Sequence, residues 1–210
     1  MRIQSIVVGY LGTNCYILGD EATGTCAVID PGASAGAILD KIREMGLKAE
    51  TILLTHGHYD HIMAVPELVR QTGARVCIHK KDQWLLDCDE VLRYGTRAEH
   101  YTVPHVDVFL EDGMEVTQGR LTIRVLHTPG HTAGCCCFVC GDALFSGDTL
   151  FHESCGRTDL ETGDMEDMFR SLARLAALEG NYRVFPGHMS STSLDYERQF
   201  NPYMQEAQRR

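Results

Sequence analysis

The sequence predicts an α/β (α+β) protein of four layers, an αββα sandwich in which two β-sheets pack together and helices cover their outer faces. Short apolar runs alternate with turns and helix-like stretches, and the order of strands followed by a helix occurs twice along the 210 residues. A chain of this length can bury a substantial core, and both halves fit into one domain, residues 1–210.

The first half of the chain contains four short apolar runs typical of strands, each ended by glycine or by Asp30-Pro31-Gly32. These runs are 3–8, 15–18, 27–29 and 52–54. A helix is predicted over 34–45, because apolar residues recur there at helical spacing between a capping Ser34 and Gly46. A second helix is predicted over 62–71.

The second half repeats this plan. Strands are predicted over 121–126, 135–139, 143–145 and 182–185, and an amphipathic helix over 165–178, capped near Asp164 and ended by Gly180. The segment 84–104 is poorly patterned. We interpret it as a partly helical insertion over one face and as a candidate substrate lid.

Composition excludes several classes of partner. Hydrophobic content of 44% and charged content of 23% are typical of a soluble globular protein. The net charge of -10 offers no basic surface for nucleic acid or for an anionic membrane. No apolar run approaches membrane-spanning length, and the N-terminal run is too short for a signal peptide. Nine cysteines, an odd number within apolar segments, favour a reduced cytoplasmic setting.

Ligand-type side chains recur beside glycine and at the ends of apolar runs. Two strands end alike, in Thr128-Pro129-Gly130-His131 and in Pro186-Gly187-His188. Proline stops strand pairing and glycine permits a sharp turn, so each histidine is presented at a strand end. We therefore expect seven residues to converge at one edge of the sheets: His56, His58, Asp60, His61, His131, Asp148 and His188.

Imidazole and carboxylate at this spacing predict two sites for divalent metal ions, most suitably Zn, with Fe or Mn as alternatives. In an extended loop, residues two apart point the same way, so His56 and His58 share one ion with His131. The helix that follows turns Asp60 and His61 towards a second ion, which His188 completes. Asp148 bridges the two. The alternative for any one histidine is an ordinary satisfied polar residue or helix cap, and the four-residue cluster with three further partners argues against it.

Two divalent ions outweigh the charges of Asp60 and Asp148, so the centre is expected to stabilise a bridging hydroxide. A metal lowers the pKa of water from about 15.7 to about 7, which supplies a nucleophile at neutral pH. Asp60 is expected to orient that nucleophile. No Ser-His-Asp order, G-x-S-x-G elbow or glycine-rich phosphate loop occurs in the sequence.

Other cysteines and histidines have weaker claims to function. Neighbouring residues alternate faces along a strand, so the cysteines at 135, 136, 137 and 140 are better interpreted as buried thiols than as a metal knuckle. The remaining histidines have no ligand partners in sequence and are predicted to be surface or packing residues: His79, His100, His105, His127 and His152.

These motifs and the order of elements resemble the metallo-β-lactamase superfamily, and within it the glyoxalase II-like (hydroxyacylglutathione hydrolase-like) branch. The resemblance extends from Gly12-Thr13-Asn14-Cys15-Tyr16 to the end of the chain. It implies an αββα fold of two mixed sheets and the same metal assignments as above. It also implies that Arg157, in Cys155-Gly156-Arg157, contacts the thiol part of the substrate. The alternative for Arg157 is a structural pair with Asp159 or with the acidic start of the helix that follows.

The resemblance departs from full-length glyoxalase II at the C-terminal end. Only residues 189–210 follow His188, so no glutathione-binding helical domain is expected, and Met189-Ser190 stand where those enzymes commonly have Glu-Tyr. The chain thus resembles the compact single-domain members of the branch. β-Lactam hydrolysis is not expected, because true β-lactamases of this fold generally lack an aspartate at the position of Asp148.

The function implied is a dinuclear-metal hydrolase that cleaves a small acyl thioester, such as S-lactoylglutathione, through a metal-bridging hydroxide. The expected partner is this small molecule, with neither nucleic acid nor membrane. One alternative is a persulfide dioxygenase with a single iron, which shares the fold and much of the motif. Another is a metal-bearing redox or interaction module without turnover. The acyl group, the thiol and the oligomeric state do not follow from the sequence.

Overall fold

Two six-stranded mixed β-sheets form the centre of the computed structural model, which describes residues 1–88 and 101–210. The first sheet contains β1 to β6 side by side in chain order. The first three strands are antiparallel neighbours, and β3 to β6 run parallel. Their bounds are Arg2–Val8, Thr13–Asp20, Thr25–Ile29, Lys48–Leu53, Arg75–His79 and Val108–Leu110.

The second half of the chain builds the second sheet and a small two-stranded sheet. Strands β7 to β14 are Glu115–Gln118, Leu121–His127, Cys136–Cys140, Ala143–Gly147, Leu150–Phe151, Ser154–Cys155, Arg183–Pro186 and Thr192–Ser193. The second sheet has the order β14-β13-β10-β9-β8-β7, in which β10 and β13 are parallel, whereas β11 pairs with β12 separately. Both large sheets are therefore mixed, as predicted.

Six α-helices lie within the described residues. In chain order, α1 to α6 are Ala35–Glu44, Tyr59–Ile62, Val65–Thr72, Met165–Ala176, Leu194–Phe200 and Pro202–Arg209, and Lys80–Asp87 is a 3-10 helix. None of the described helices is long and apolar enough to cross a membrane.

Three apolar clusters establish the four layers. The central cluster joins the inner faces of both sheets, with Leu18 and Ile29 from the first and Phe138 and Phe145 from the second. A second cluster packs the helices α1 and α3 on the outer face of the first sheet. A third packs α4 and α6 on the second sheet. Each sheet is thus covered on both faces, which confirms the predicted αββα fold class.

Two local predictions about the helices are wrong. The helix predicted over 62–71 is α3, but it begins only at Val65 and is separate from α2, because Pro66 has no amide to donate to the carbonyl one turn earlier. Ser34 lies at the start of α1 with φ 58 and makes no side-chain cap, because its left-handed backbone turns the hydroxyl away from the first amides. The cap at Asp164 is confirmed: its carboxylate accepts from the amide of Asp167 at 2.7 Å.

The interpretation of the cysteines at 135, 136, 137 and 140 as buried thiols is confirmed. All nine cysteines are free thiols, and those at 135, 136, 137 and 140 are buried. Burial raises the pKa of Cys137 to about 11, so this thiol stays protonated at neutral pH. Of the segment 84–104, the part up to residue 87 belongs to the 3-10 helix. Residues 89–100 lie outside the described residues, and the substrate lid stays a prediction.

Candidate metal centre

All seven side chains singled out in the sequence meet at one end of the two sheets. Each follows a strand or the turn after it: β4 leads to the cluster 56–61, β8 to His131, β10 to Asp148 and β13 to His188. Their ligand atoms form three groups, in each of which the atoms lie within 4.8 Å of one another. These groups are His56-His58-His131, His56-His61-Asp148 and Asp60-His61-His188.

The first ligand set consists of His56, His58 and His131. The Nδ1 atom of His58 lies 2.8 Å from the Nε2 atom of His131. His131 donates from Nδ1 to the backbone carbonyl of Arg157 at 2.7 Å, which leaves the Nε2 lone pair facing the centre. The Nδ1 atom of His56 lies 3.1 Å from the hydroxyl of Thr55, so its Nε2 atom also faces the centre.

The second ligand set consists of Asp60, His61 and His188. The Nε2 atoms of His61 and His188 are 3.3 Å apart, and Asp60 Oδ2 lies 3.2 Å from His188 Nε2. The Nδ1 atom of His61 donates to Oδ2 of the buried Asp30 at 3.0 Å. The bond to Asp30 fixes the tautomer of His61 and leaves its Nε2 atom free to bind a metal.

Asp148 lies between the two sets. Its Oδ2 atom is 3.5 Å from His131 Nε2 of the first set and 3.6 Å from His188 Nε2 of the second. Its Oδ1 atom is 3.5 Å from His61 Nε2. One carboxylate therefore contacts ligands of both sets, which is the position that a bridging ligand requires.

The electrostatics of the cluster suit cation binding. Burial, helped by the neighbouring ring of His131, lowers the pKa of His58 to about 3, so this ring is neutral at pH 7. Burial alone would lower the pKa of His61, but the carboxylates of Asp60, Asp148 and Asp30 outweigh it and raise this pKa to about 10. Metal ligation requires neutral imidazole, so a cation bound beside these carboxylates would displace that proton.

Two buried polar atoms point to what the centre is built to hold. The Nε2 atom of His56 and the Oδ1 atom of Asp148 are buried and have no hydrogen-bond partner. Buried polar atoms are normally paired, and both of these point into the cluster. Five imidazoles and two carboxylates form a donor set that fits Zn, Fe or Mn. The cluster can therefore hold divalent metal ions.

Asp30 is a site residue that the sequence reasoning missed. It follows β3 directly, and its two carboxylate oxygens accept from the Thr55 amide at 2.8 Å, the Thr55 hydroxyl at 2.6 Å and His61. The available signal was its position: like the ligands, it is a carboxylate at the end of an apolar strand beside Pro-Gly. It was treated only as the end of that strand.

The motif Thr13 to Tyr16 at the start of β2 holds the second ligand set. The Thr13 hydroxyl donates to Asp60 at 3.0 Å. The Asn14 side chain donates to the carbonyls of Pro186 and Met189 at 3.0 and 2.9 Å, and the Tyr16 hydroxyl donates to Pro186 at 2.6 Å. These bonds fix both sides of the turn that carries His188.

A cleft of about 480 Å³ opens over the centre. Besides the ligands, its walls include Leu11, Tyr59, Phe151, Arg157 and Leu160. The Arg157 guanidinium forms a two-point ion pair with Asp159, at 2.7 and 2.8 Å, and its side chain is 61% exposed. Arg157 thus lines the cleft in the structural pair that was its alternative, and its contact with substrate stays a prediction.

The other histidines with described positions lie outside the three ligand groups. His79 and His127 stack face to face with ring centres 4.2 Å apart, and His152 stacks on Tyr196 at 5.2 Å. His105 is exposed. Their interpretation as packing or surface residues agrees with these contacts, whereas His100 lies outside the described residues.

Comparison with known proteins places the chain in a family. Residues 8–188 match the family model described as the metallo-beta-lactamase superfamily. The chain belongs to this superfamily, whose members are largely metal-dependent hydrolases.

Several known proteins are similar to this chain in sequence. An uncharacterized protein of Mycobacterium leprae is 36% identical, with 98% of this chain and 99% of that protein covered. "Hydroxyacylglutathione hydrolase GloC" of Haemophilus influenzae is 31% identical over 97% of this chain and 98% of its own length. "Probable polyketide biosynthesis zinc-dependent hydrolase BaeB" of Bacillus velezensis is 35% identical over 83% and 72%. The resemblance to the glyoxalase II-like branch is thereby confirmed.

Three solved structures share the fold at high similarity. The B3 metallo-beta-lactamase BLEG-1 superposes with a TM-score of 0.88 at 32% identity, covering 97% of this chain and 99% of its own. TTHA1623 in a di-iron-bound form gives 0.84 at 35%, with 95% and 99% covered. ETHE1 from Myxococcus xanthus gives 0.80 at 30%, with 96% and 84% covered.

Proposed function

We propose that this protein is a dinuclear-metal hydrolase that cleaves a small acyl thioester, with S-lactoylglutathione as the first substrate to test. The observation that carries the proposal is the complete set of seven ligands, with Asp148 in contact with both halves. Zn is the metal we expect, with Fe or Mn as alternatives. The name of GloC, a hydroxyacylglutathione hydrolase, supports the substrate class, and the name of BaeB, a probable zinc-dependent hydrolase, supports the metal.

Bound divalent ions would polarise the thioester carbonyl and make water a nucleophile at neutral pH. The chain supplies the positions of the reacting groups. Asp60, held by the Thr13 hydroxyl, presents an acceptor that orients the attacking water by one of its protons. Burial would raise the pKa of Asp60, but His61 and the bond to His188 outweigh it and keep the pKa below the usual range. Asp60 is therefore an acceptor at neutral pH and not a general acid.

A thioester suits a site without a general acid. A thiol has a pKa of about 8.5, so it leaves readily as a thiolate and needs no proton in the transition state. The amine of an amide and the alkoxide of an ordinary ester are far stronger bases and therefore poorer leaving groups. Because every imidazole of the centre would bind metal as a neutral ring and both carboxylates would be ionised, the centre offers no proton donor, and the leaving group that it serves best is a thiolate.

The cleft walls would hold the two parts of the substrate, its acyl limb and its thiol limb. Leu11, Phe151 and Leu160 offer apolar contacts that exclude water from the reacting carbonyl. Arg157 would bind a carboxylate on the thiol limb, for which it exchanges its exposed partner Asp159. Because Arg157 is the basic side chain among the described residues that line the cleft, we propose a high KM and a loose choice of thiol.

The test is release of free thiol under anaerobic conditions by protein loaded with Zn. The panel contains S-lactoylglutathione, other short hydroxyacyl thioesters of glutathione, and the same acyl groups on coenzyme A. Metal analysis of the protein purified without chelator is run beside it, and up to two ions per chain are expected. Absence of thiol release from every thioester would refute the proposal.

Persulfide dioxygenation is the second candidate, and the similarity to ETHE1 is the observation that favours it. Its assay is oxygen uptake with glutathione persulfide by iron-loaded protein. β-Lactam hydrolysis is not expected because of Asp148, but BLEG-1 is a B3 metallo-beta-lactamase that is 32% identical, so a chromogenic β-lactam belongs in the panel. No turnover in any arm would favour a metal-bearing module without catalysis.

A further inference from the structure

The 3-10 helix Lys80–Asp87 lies against two loops that carry metal-ligating residues. Its Asp82 side chain is fully buried. The Oδ2 atom of Asp82 accepts from the Thr132 hydroxyl at 2.6 Å and from the Gly57 amide at 3.2 Å. Gly57 stands between His56 and His58, and Thr132 directly follows His131, so one carboxylate oxygen joins both loops of the first ligand set.

The two loops are shaped to receive this helix. A Cβ atom at Gly57 would lie 2.6 Å from Leu85 Cβ and 2.9 Å from the backbone oxygen of Asp82. A Cβ atom at Gly134 would collide with the Asp82 carboxylate. Neither glycine has a left-handed backbone, so lack of space and not conformation demands glycine at both positions.

The two loops come from different sheets, which makes their separation a tertiary property. The loop of His56 and His58 follows β4 of the first sheet, and the loop of His131 follows β8 of the second. The amide of Cys136 also bonds to the Thr55 carbonyl across this junction, at 2.8 Å. The Oδ1 atom of Asp82 is buried without a hydrogen-bond partner, so the buried carboxylate depends on the two bonds to Oδ2, which hold both donors to one geometry.

We propose that Asp82 is a positioning residue that sets the distance between the His56–His58 loop and the His131 loop, and thereby the metal affinity of the first ligand set. The inference rests on the metal-binding part of the proposed function and is independent of the substrate. The second set is held by other groups, since Thr13 bonds to Asp60 and Asp30 bonds to His61. We therefore expect the effect of Asp82 to be largest on the first set.

The test separates the two sets by removing a ligand from one of them. His188→Ala leaves the first set complete, and His131→Ala leaves the second. In each background, Asp82→Ala, Asp82→Asn and the control Asp87→Ala are titrated with Zn against a chromogenic chelator, and with Co²⁺ followed by its visible absorption. Asp87 is an exposed carboxylate on the same 3-10 helix.

Asp82→Ala should weaken Zn binding roughly 10–100-fold in the His188→Ala background, as is usual when a group that orients a ligand is lost. It should change Zn affinity far less in the His131→Ala background. Asp82→Asn keeps an acceptor oxygen and should restore part of the loss, with a Co²⁺ spectrum closer to that of the parent. Asp87→Ala should change neither background.

Unchanged Zn affinity in the His188→Ala background, or equal loss in both backgrounds, would overturn the proposal. If Asp82→Ala does not fold, Thr132→Val replaces it, because valine keeps the shape and removes only the hydroxyl donor. A smaller loss, again largest for the first set, is then expected, and parental affinity would again overturn the role. Metal affinities are measured without substrate, so the test of Asp82 does not depend on the outcome of the thioesterase assay.

Discussion

Replacing Asp30 by asparagine should change which nitrogen of His61 carries the proton. Oδ1 of Asp30 accepts from the Thr55 amide, and Oδ2 accepts from the Thr55 hydroxyl and from His61 Nδ1. A backbone amide can only donate, so the single oxygen of the asparagine side chain must stay on the Thr55 amide. The new NH₂ group then faces His61 Nδ1, which has to accept, and the ring proton moves to Nε2.

The consequence for metal binding follows from the geometry. The Nε2 atom of His61 faces Asp60, Asp148 and His188, and a proton there blocks it as a ligand. We expect Asp30→Asn to weaken the second set roughly 10–100-fold, the usual cost of losing the group that orients a ligating histidine. Stability should fall by about 1–3 kcal/mol, because asparagine tolerates the φ of 50 at this position and keeps its bonds to the Thr55 amide and the His61 ring, whereas the Thr55 hydroxyl loses its acceptor.

The assay is Zn competition against a chelator, combined with urea unfolding of the metal-free protein. Asp142→Asn serves as the control. Asp142 is an exposed carboxylate that pairs with Arg183 at the start of β10, whereas the metal centre lies at the other end of this strand. Asp30→Ala should unfold far more easily, because three buried donors lose their acceptor. If folded Asp30→Asn binds two Zn ions with the same affinities as the unsubstituted protein, the tautomer reasoning is refuted.

Four further predictions concern separate parts of the molecule. Asp148→Ala should lower the metal content, because its carboxylate contacts both ligand sets; full content by elemental analysis would remove Asp148 from the centre. Arg157→Ala should raise KM roughly tenfold for a thioester with a carboxylate on its thiol and leave kcat nearly unchanged; unchanged kinetics with a lower Tm would leave Arg157 only its pair with Asp159. Asn14→Ala should cost about 1–3 kcal/mol of folding free energy, since the carbonyls of Pro186 and Met189 each lose a donor and Pro186 keeps only the Tyr16 hydroxyl; an unaltered urea midpoint would contradict this. Burial, and then the ring of His127, lower the pKa of His79 from 6.5 to about 4, so the unfolded chain binds the proton first and stability should fall as pH drops through this window. His79→Gln should flatten that part of the urea-midpoint profile, and an identical slope would exclude His79 as its source.

Local signals in the sequence were reliable where one segment decides the structure. The strand β8 was predicted over 121–126 and spans Leu121–His127, because its apolar pattern and the Pro-Gly after it act within a few residues. Asp164 was predicted as a cap for the same reason, since the amide that it accepts from is three residues away. The break between α2 and α3 also had a local signal in Pro66, which the apolar periodicity outweighed.

The sequence by itself predicted seven candidate ligands, their delivery at strand ends and their division into two sets, because residues two apart in a loop and residues after a helix start point in predictable directions. Only the tertiary structure decided which nitrogen of each ring faces the centre. His61 is oriented by Asp30, 31 residues away, and His131 by the Arg157 carbonyl, 26 residues away. Asp82 reaches Thr132 across 50 residues. Such partners meet only when the two sheets pack, and no periodicity within one segment encodes the distance between segments.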